Sequence, residues 1–324
     1  MISVITTTYN YDEFIIDAIK SVLNQTFKDF EYLIIDDGST DRTEYLVKSI
    51  NDDRIKYYKM NHIGRSAALN FGLAEAQYEI VALMDADDIA DPRRFERELE
   101  LLKNQNQLVF CESAFFKNDD IKYILNSPKN INELKLKILL HGHLNNSSVL
   151  FFKNHLIDNH GYNEKLVAYE DYEVWLRLLN KSEFTIIPNF YHYIRLHHKS
   201  LTTSNQSKLK NILYNIQENY FKDLLYTFNL NDRNSPYILQ GWREFFFGNR
   251  REAREFWSKI NFTRQGLKIK IAFLVSYLPS SFIDILINNR IKLRFEYFYY
   301  KIKNLNKVQR NFNSIRKLLL NNSQ

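Results

Sequence analysis

The alternation of apolar runs with helical segments over the first 200 residues is the strongest constraint on this chain. "ISVITTT" (2–8), "FEYLIID" (30–36), "RIKYYKM" (54–60) and "YEIVALMD" (78–85) have the length and composition of strands. Helical segments separate them. The first runs from a cap at Asp12 to about Gln25. "STDRTEYLVKSI" opens with capping residues, "GRSAALNFGLAEA" follows the third strand, and "PRRFERELELLKN" carries Pro92 in its first turn. This order predicts an α/β domain built on a mainly parallel sheet with helices on both faces. Ligands of open sheets of that kind bind outside the carboxyl ends of the strands. Two acidic groups fall at such ends: Asp36 and Asp37, and the cluster Asp85, Asp87 and Asp88.

Three carboxylates in four residues repel one another and raise one another's pKa unless something positive lies among them. A solvated, helix-capping loop would need one acid. Three of them after so apolar a strand point instead to Mg²⁺ or Mn²⁺ carrying a diphosphate as co-ligand. An EF-hand is excluded, because Ile89 stands at a ligand position and Ala90 where the turn glycine belongs. A dehalogenase-type nucleophile motif would want Thr or Val where Asp88 stands. In "IIDDGSTD" (34–41), Gly38 permits a tight turn, and Ser39 or Thr40 can cap the next helix. Asp36 and Asp41 fit turn chemistry, whereas Asp37 would sit at the crevice mouth, where a carboxylate can accept from a base N–H or a ribose hydroxyl. Neither GxGxxG nor GxxxxGK[ST] occurs, so neither a dinucleotide fingerprint nor a P-loop is supported.

Charge divides the chain unevenly. Residues 205–324 hold 21 Lys and Arg against 8 Asp and Glu, and residues 1–204 hold 23 against 30. An acidic body with a basic extension suggests a polyanion or an anionic membrane as partner. The extension reads as helical: a long amphipathic helix from about 205, a hairpin turning at Gly248-Asn249, and a basic, Asn-rich tail. We therefore expect a catalytic domain over 1–204 and a helical extension over 205–324. The apolar stretch Ile271–Ile287 is interrupted by Pro279, Ser280, Ser281 and Asp284, which argues against a membrane span. Flanking Lys268, Lys270, Arg290, Lys292 and Arg294 make it resemble an interfacial amphipathic segment. A single cysteine, Cys111, excludes an internal disulfide and Cys-based zinc sites. The amino terminus shows no secretory signal.

"SVITTTYN", "SVLNQTFKDFEYLIIDDGSTDRT", "GRSAALNFGL", "LMDADD" and "GYNEKLVAYEDYEVWLRL" follow one another in the order and spacing of family 2 glycosyltransferases, which residues 1–200 resemble. The resemblance implies a GT-A fold, and an inverting transferase using a nucleotide-sugar donor, taken as UDP-linked, with divalent Mn²⁺ or Mg²⁺. It places Thr7 and Tyr9 at the nucleobase, with Tyr9 stacking, although many relatives carry a proline just before that tyrosine. It places Asp37 at the base edge and Arg65 near the donor phosphates, and it makes Asp85 and Asp87 the DxD pair for ribose and metal. Asp171 corresponds to the catalytic base, with Glu170 shaping its surroundings. From the residues alone, "AYEDYEVWLRLL" would read as an ordinary helix with acidic first-turn residues. The chemistry nevertheless needs a base, since a sugar hydroxyl must lose its proton as it attacks the anomeric carbon.

His197 and His198 follow a strand that would return toward the site. A lone histidine is usually structural, and a metal or phosphate contact through His197 is the sharper alternative. "HGHLNNSSVLFF" (141–152) could line an acceptor site. The expected partners are the nucleotide-sugar donor, a glycan or lipid-linked acceptor and an anionic membrane surface, with oligomerisation possible through the extension. No nucleic-acid-binding motif is evident. The expected location is cytoplasmic, peripheral on the inner face of the plasma membrane. Two other readings use the same residues: metal-dependent nucleotidyl transfer, for which Glu170-Asp171 would be superfluous, and a non-catalytic sugar-nucleotide-binding scaffold, which would tolerate loss of an acid.

Overall fold

The computed structural model describes residues 1–124, 128, 130–141, 144–199, 206–227, 235–246, 248–260, 273–274, 276–277 and 297–321. β1 (Ile2–Thr8) lies at the centre of its first half, parallel to β2 (Phe30–Asp36) on one side and β4 (Ile80–Leu83) on the other, and β3 (Ile55–Lys59) extends the sheet beyond β2. Ile5 pairs with both Leu33 and Leu83. Both faces of β1, β2 and β4 are covered, which is why they read as apolar runs. Ile5, Leu33, Ile35, Val81 and Leu83 face α3 (Arg65–Glu75) through Ala68, Leu69 and Leu73. Ile2, Val4, Phe30, Tyr32, Ile34 and Ala82 face α1 (Ile15–Leu23), Val47 of α2 (Thr43–Lys48) and Phe95 of α4 (Arg94–Leu101). The approach of α3 requires Gly72, where a Cβ would lie 2.7 Å from Ile5 Cγ2.

The second half of the sheet is mixed. β8 (Val149–Phe152) runs antiparallel to both β4 and β6 (Gln107–Lys117). β6 pairs parallel with β9 (Glu183–Arg195), and β9 pairs antiparallel with the two-residue strand β5 (Ile89–Ala90). β7 (Asp120–Ile124) closes a hairpin on β6. The strand order is thus β3-β2-β1-β4-β8-β6-β9-β5. The parallel expectation holds for the first four strands, and antiparallel pairings enter where β8 is inserted beside β4. Asp12 does not cap α1. That helix begins after Phe14 without a side-chain cap, and Asp12 instead accepts from Arg42 Nε at 3.2 Å.

Among the described residues beyond 204, helices pack against this body. α8 (Gln206–Thr227) buries Ile216, Phe221 and Leu224 in the cluster that holds Leu139 and Trp175, the latter on α7 (Glu170–Leu178). Gln217 Nε2 donates to Tyr172 Oη at 3.0 Å and to the Leu139 carbonyl at 3.2 Å, and Tyr220 donates to Glu173. α9 (Ser235–Phe246) and α10 (Arg250–Ser258) form the expected hairpin around Phe245 and Trp257, with Asn249 Oδ1 capping α10 through Arg251 N. The carboxyl-terminal helix α11 (Tyr297–Asn321) places Val308, Phe312, Ile315 and Leu319 against Ile89, Phe116 and Tyr193. Among the described residues no helix is long and apolar enough to cross a membrane. Most of Ile271–Ile287 lies outside the described residues.

Candidate active site

β4 ends at Leu83, and the chain turns sharply through Asp85–Asp88 before β5. Asp85, Asp87 and Asp88 offer carboxylate oxygens within 4.8 Å of one another. The three are not equivalent. Asp88 is buried, and both its oxygens are engaged: Oδ1 accepts from Arg195 N at 3.0 Å and Oδ2 from Ser147 Oγ at 2.9 Å. Burial, then Asp85, pushes its carboxyl up to about 7. Ser147 also meets His192 Nε2 at 2.7 Å; His192 Nδ1 meets Ser113 Oγ at 2.9 Å, which accepts from Asn145 Nδ2 at 2.9 Å. A single tautomer, with Nε2 protonated, satisfies this whole chain from Asn145 to Asp88. Burial, with Arg94 nearby, pushes His192 down to about 3, so it is a neutral strut and not a counter-ion.

Asp85 and Asp87 face the crevice. Asp85 Oδ1 accepts from Arg65 Nη2 at 2.6 Å, and Asp87 Oδ2 meets His197 Nε2 at 2.8 Å. Among the described residues, Asp85 Oδ2 and Asp87 Oδ1 remain for a cation. Two hard oxygen donors on a short loop suit Mg²⁺ or Mn²⁺, which keep several ligand positions for water and phosphate. His197 packs against Phe14, with ring centroids 4.4 Å apart, and its buried Nδ1 has no hydrogen-bond partner among the described residues. His198 is exposed beside it.

Arg65 joins the two acidic groups. It opens α3 and donates through Nη2 to Asp85 and through Nε to Glu170 Oε1, each at 2.6 Å. Glu170 is buried in the first turn of α7, and Asp171 beside it is part-buried. The turn into α7 puts Tyr169 in the left-handed region (φ 60°). Asp171 accepts only from Tyr172 N, at 2.7 Å, among the described residues. Burial and then Glu170 push its carboxyl up to about 7, against the opposing pull of Arg65. A carboxylate so placed is a competent proton acceptor near neutral pH.

At the other end of the crevice, Tyr9 is 40% exposed and stacks on His62, with centroids 4.1 Å apart and planes at 22°. Thr7 is buried, and its Oγ1 has no hydrogen-bond partner among the described residues. Asp37 is also buried, and it holds the loop before α3. It accepts from Ile63 N at 2.6 Å and Gly64 N at 3.0 Å, and its Oδ2 lies 3.1 Å from His62 Nδ1. Gly38 (φ 83°) lets that loop approach, since a Cβ there would lie 2.9 Å from His62 N. Asp36 is structural, binding Ser39 N and Tyr57 Oη.

The fold thus brings Asp85, Asp87, Arg65, Glu170, Asp171 and His197 together, with Tyr9 and Asp37 just past the carboxyl ends of β1 and β2. Sequence reasoning did not find Arg195, His192, Ser147 or His62 as parts of the site. Ser147 lies in the stretch read as a lining of the acceptor site, and its hydroxyl is tied to Asp88 of the acidic loop.

Comparison with known proteins bears on the family and the fold. Residues 3–161 match the family described as Glycosyl transferase family 2. The O-antigen biosynthesis glycosyltransferase WbnJ of Escherichia coli is 30% identical over 229 residues, covering 67% of this chain and 88% of that protein. An uncharacterized glycosyltransferase of Methanocaldococcus jannaschii is 28% identical over 257 residues, covering 76% and 86%. Among solved structures, S. aureus TarS 1-349 in complex with UDP-GlcNAc superposes with a TM-score of 0.58 at 18% identity, covering 98% of this chain and 91% of that one. The mannosyltransferase PcManGT from Pyrobaculum calidifontis, in complex with GDP-Man and Mn²⁺, gives 0.55 at 15% identity, covering 100% and 88%. The shared architecture is that of GT-A enzymes, and the chain belongs to glycosyltransferase family 2, as a nucleotide-sugar-dependent glycosyltransferase.

Proposed function

We propose that the chain is an inverting, metal-assisted transferase that moves a sugar from a UDP-linked donor to a hydroxyl of a glycan or lipid-linked acceptor. The observation that carries this reading is Arg65, which holds the acidic loop and the base helix to one crevice through two bonds of 2.6 Å. Asp171 takes the acceptor hydroxyl proton as the new bond to the anomeric carbon forms and the bond to the nucleotide diphosphate breaks. Attack opposite the leaving group inverts configuration. Glu170 keeps Arg65 in place and so moderates the charge around Asp171. Asp85 and Asp87, with His197 behind Asp87, would hold the cation, whose chemistry is to offset charge on the departing diphosphate. Tyr9 and His62 supply flat surfaces for a nucleobase, and Asp37 fixes the loop that carries His62. TarS bound to UDP-GlcNAc and PcManGT bound to GDP-Man and Mn²⁺ lend support to the donor class and the metal.

Titration calorimetry with UDP, with and without Mn²⁺, tests the donor half. Asp87→Asn should bind UDP at least about tenfold more weakly in Mn²⁺ and lose turnover, since an amide keeps the shape but removes a ligand charge. Equal affinity and equal turnover in the variant would remove Asp87 from the cation site.

The extension points to a second property of the same enzyme: peripheral attachment to an anionic membrane on its cytoplasmic face. Its excess of basic residues supports this reading. So do Leu274 and Tyr277, 69% and 63% exposed beside Phe273, which leans into the Trp257 cluster.

A further inference from the structure

α11 reaches the acidic loop by two routes. One is packing. Phe312 sits between Phe116 and Tyr193, with centroids 4.7 and 4.8 Å away, and shares a cluster with Ile89, the residue directly after Asp88. Asn311 Nδ2 donates to Asp91 Oδ2 at 2.8 Å and to Tyr193 Oη at 2.9 Å, which holds the far side of β5. The other route is ionic. Arg316 Nη1 donates to Asp17 Oδ2 at 2.7 Å, and Arg195 Nη2 donates to the same oxygen at 2.8 Å. Arg195 then reaches the loop itself, Nε to the Asp87 carbonyl at 2.9 Å and its backbone N to Asp88 Oδ1 at 3.0 Å. Its guanidinium lies over the rings of Phe14 and Phe116, 5.2 and 4.7 Å from their centroids. Arg316 is itself held from behind, because its Nε donates to Asp119 Oδ1 at 2.6 Å in the β6–β7 turn.

We propose that α11 is part of the donor site: Arg316 and Arg195, sharing the carboxylate of Asp17, are positioning residues that fix the Asp85–Asp88 loop in the geometry that takes the cation. This inference rests on the metal-assisted reading above. A planar guanidinium suits the task, since its donors leave in fixed directions and tie two partners at a set angle. Asp17 acts as the hinge pin. With both arginines on one oxygen, its carboxylate has one orientation, and Arg195 is delivered to the Asp87 carbonyl from that orientation. Without Arg316, Asp17 can follow Arg195, and the loop loses its fixed anchor.

Simple electrostatics predicts the opposite effect. Arg316 is a cation linked to the acidic loop through Asp17 and Arg195, so removing it without any loss of geometry would lift a repulsion and leave cation binding unchanged or stronger. The sign of the change therefore separates positioning from charge. Short, charge-assisted bonds in one connected network couple strongly and non-additively.

The test is Mn²⁺ binding followed by the electron paramagnetic resonance signal of free Mn²⁺, with UDP present and, in parallel, with GDP. Arg316→Ala should bind Mn²⁺ in the nucleotide complex about fivefold more weakly, Arg316→Lys should fall between it and wild type, and Lys317→Ala, one residue along the same helix, should match wild type. Asp17→Asn should weaken binding similarly, and combining it with Arg316→Ala should add little. Melting temperatures confirm that each variant is folded; if Arg316→Ala does not fold, Arg316→Lys and Asp17→Asn carry the comparison. Unchanged or tighter Mn²⁺ binding in folded Arg316 variants, or full additivity with Asp17→Asn, overturns the inference and leaves the metal reading standing. Failure of wild-type protein to bind Mn²⁺ with either nucleotide removes the metal reading, and the inference falls with it.

Discussion

Replacing Asp171, the proposed base, by Asn separates its chemistry from its cost to the fold. Burial, then Glu170, pushes the Asp171 carboxyl from 3.8 up to about 7. About three units at ~1.4 kcal/mol each set a ceiling of ~4 kcal/mol on the penalty for ionising it in the folded chain. Asp171 is only part-buried, and water at the crevice mouth screens the charge, so about 1–2 kcal/mol is the expected size. The folded state holds this proton more tightly than the unfolded chain. Stability from this group is therefore highest at low pH, falls as pH rises from about 4, and reaches its floor above about 7. Asn never ionises and keeps an oxygen for Tyr172 N. Asp171→Asn should thus melt with wild type near pH 4 and about 2–4 °C above it at pH 8. Its transfer rate should fall at least about 10²-fold, while UDP and Mn²⁺ binding persist. Wild-type transfer should rise with pH through about 7, as the base loses its proton. Calorimetric melts at pH 4, 6 and 8 and an initial-rate assay suffice. A melting difference that does not change with pH, or a variant less stable than wild type at pH 8, would refute the electrostatic reasoning. Near-wild-type transfer would move the base to Glu170.

The parts of the fold legible in the sequence are those whose burial is local and periodic. β1, β2 and β4 are covered on both faces, so each reads as a continuous apolar run, and the acids that end them mark the crevice. β6 is harder to read, because "QLVFCESAFFK" carries Glu112 and Ser113 through its middle, yet both are buried. β5, at two residues, exists only because β9 pairs with it. The acidic loop was legible for the same local reason as β4. Its supports were not: Ser147 and His192 lie 59 and 104 residues beyond Asp88, and Arg316 lies 299 beyond Asp17. Such partners leave no periodic trace, since each is an isolated polar residue whose meaning depends on the fold. Asp37 shows a subtler limit. Its position at a strand end was legible, but the carboxylate holds Ile63 N and Gly64 N, so its closest tie is to the loop that carries His62. A strand-end acid can face a ligand or a neighbouring loop, and only the register of that loop decides between them.

Arg65→Met should shift the acid limb of the transfer rate upward by about one pH unit, because the cation that opposes Glu170 and burial at Asp171 is gone. A rate–pH profile with an unmoved limb would show that Arg65 does not set the charge at the base. For the membrane, the full chain should co-sediment with phosphatidylglycerol vesicles at low salt, should not bind phosphatidylcholine vesicles, and should release near 1 M salt, where the screening length is about 3 Å. Deleting the extension is the wrong control, since α8 and α11 bury Phe221 and Phe312 in the catalytic core and their loss would unfold what is being measured. Charge reversal on the outer face of α11 is the right one: Lys307 and Lys317 are exposed there with Leu318 and Leu320, away from the buried stripe Val308, Phe312, Ile315 and Leu319. Each basic residue near an anionic surface contributes about 1 kcal/mol, so Lys307→Glu with Lys317→Glu should weaken vesicle binding at least about tenfold while the melting temperature holds. A full chain that ignores anionic vesicles at low salt would end the membrane reading, and equal binding by the reversed variant would move the contact off α11 to the segment around Leu274 and Tyr277.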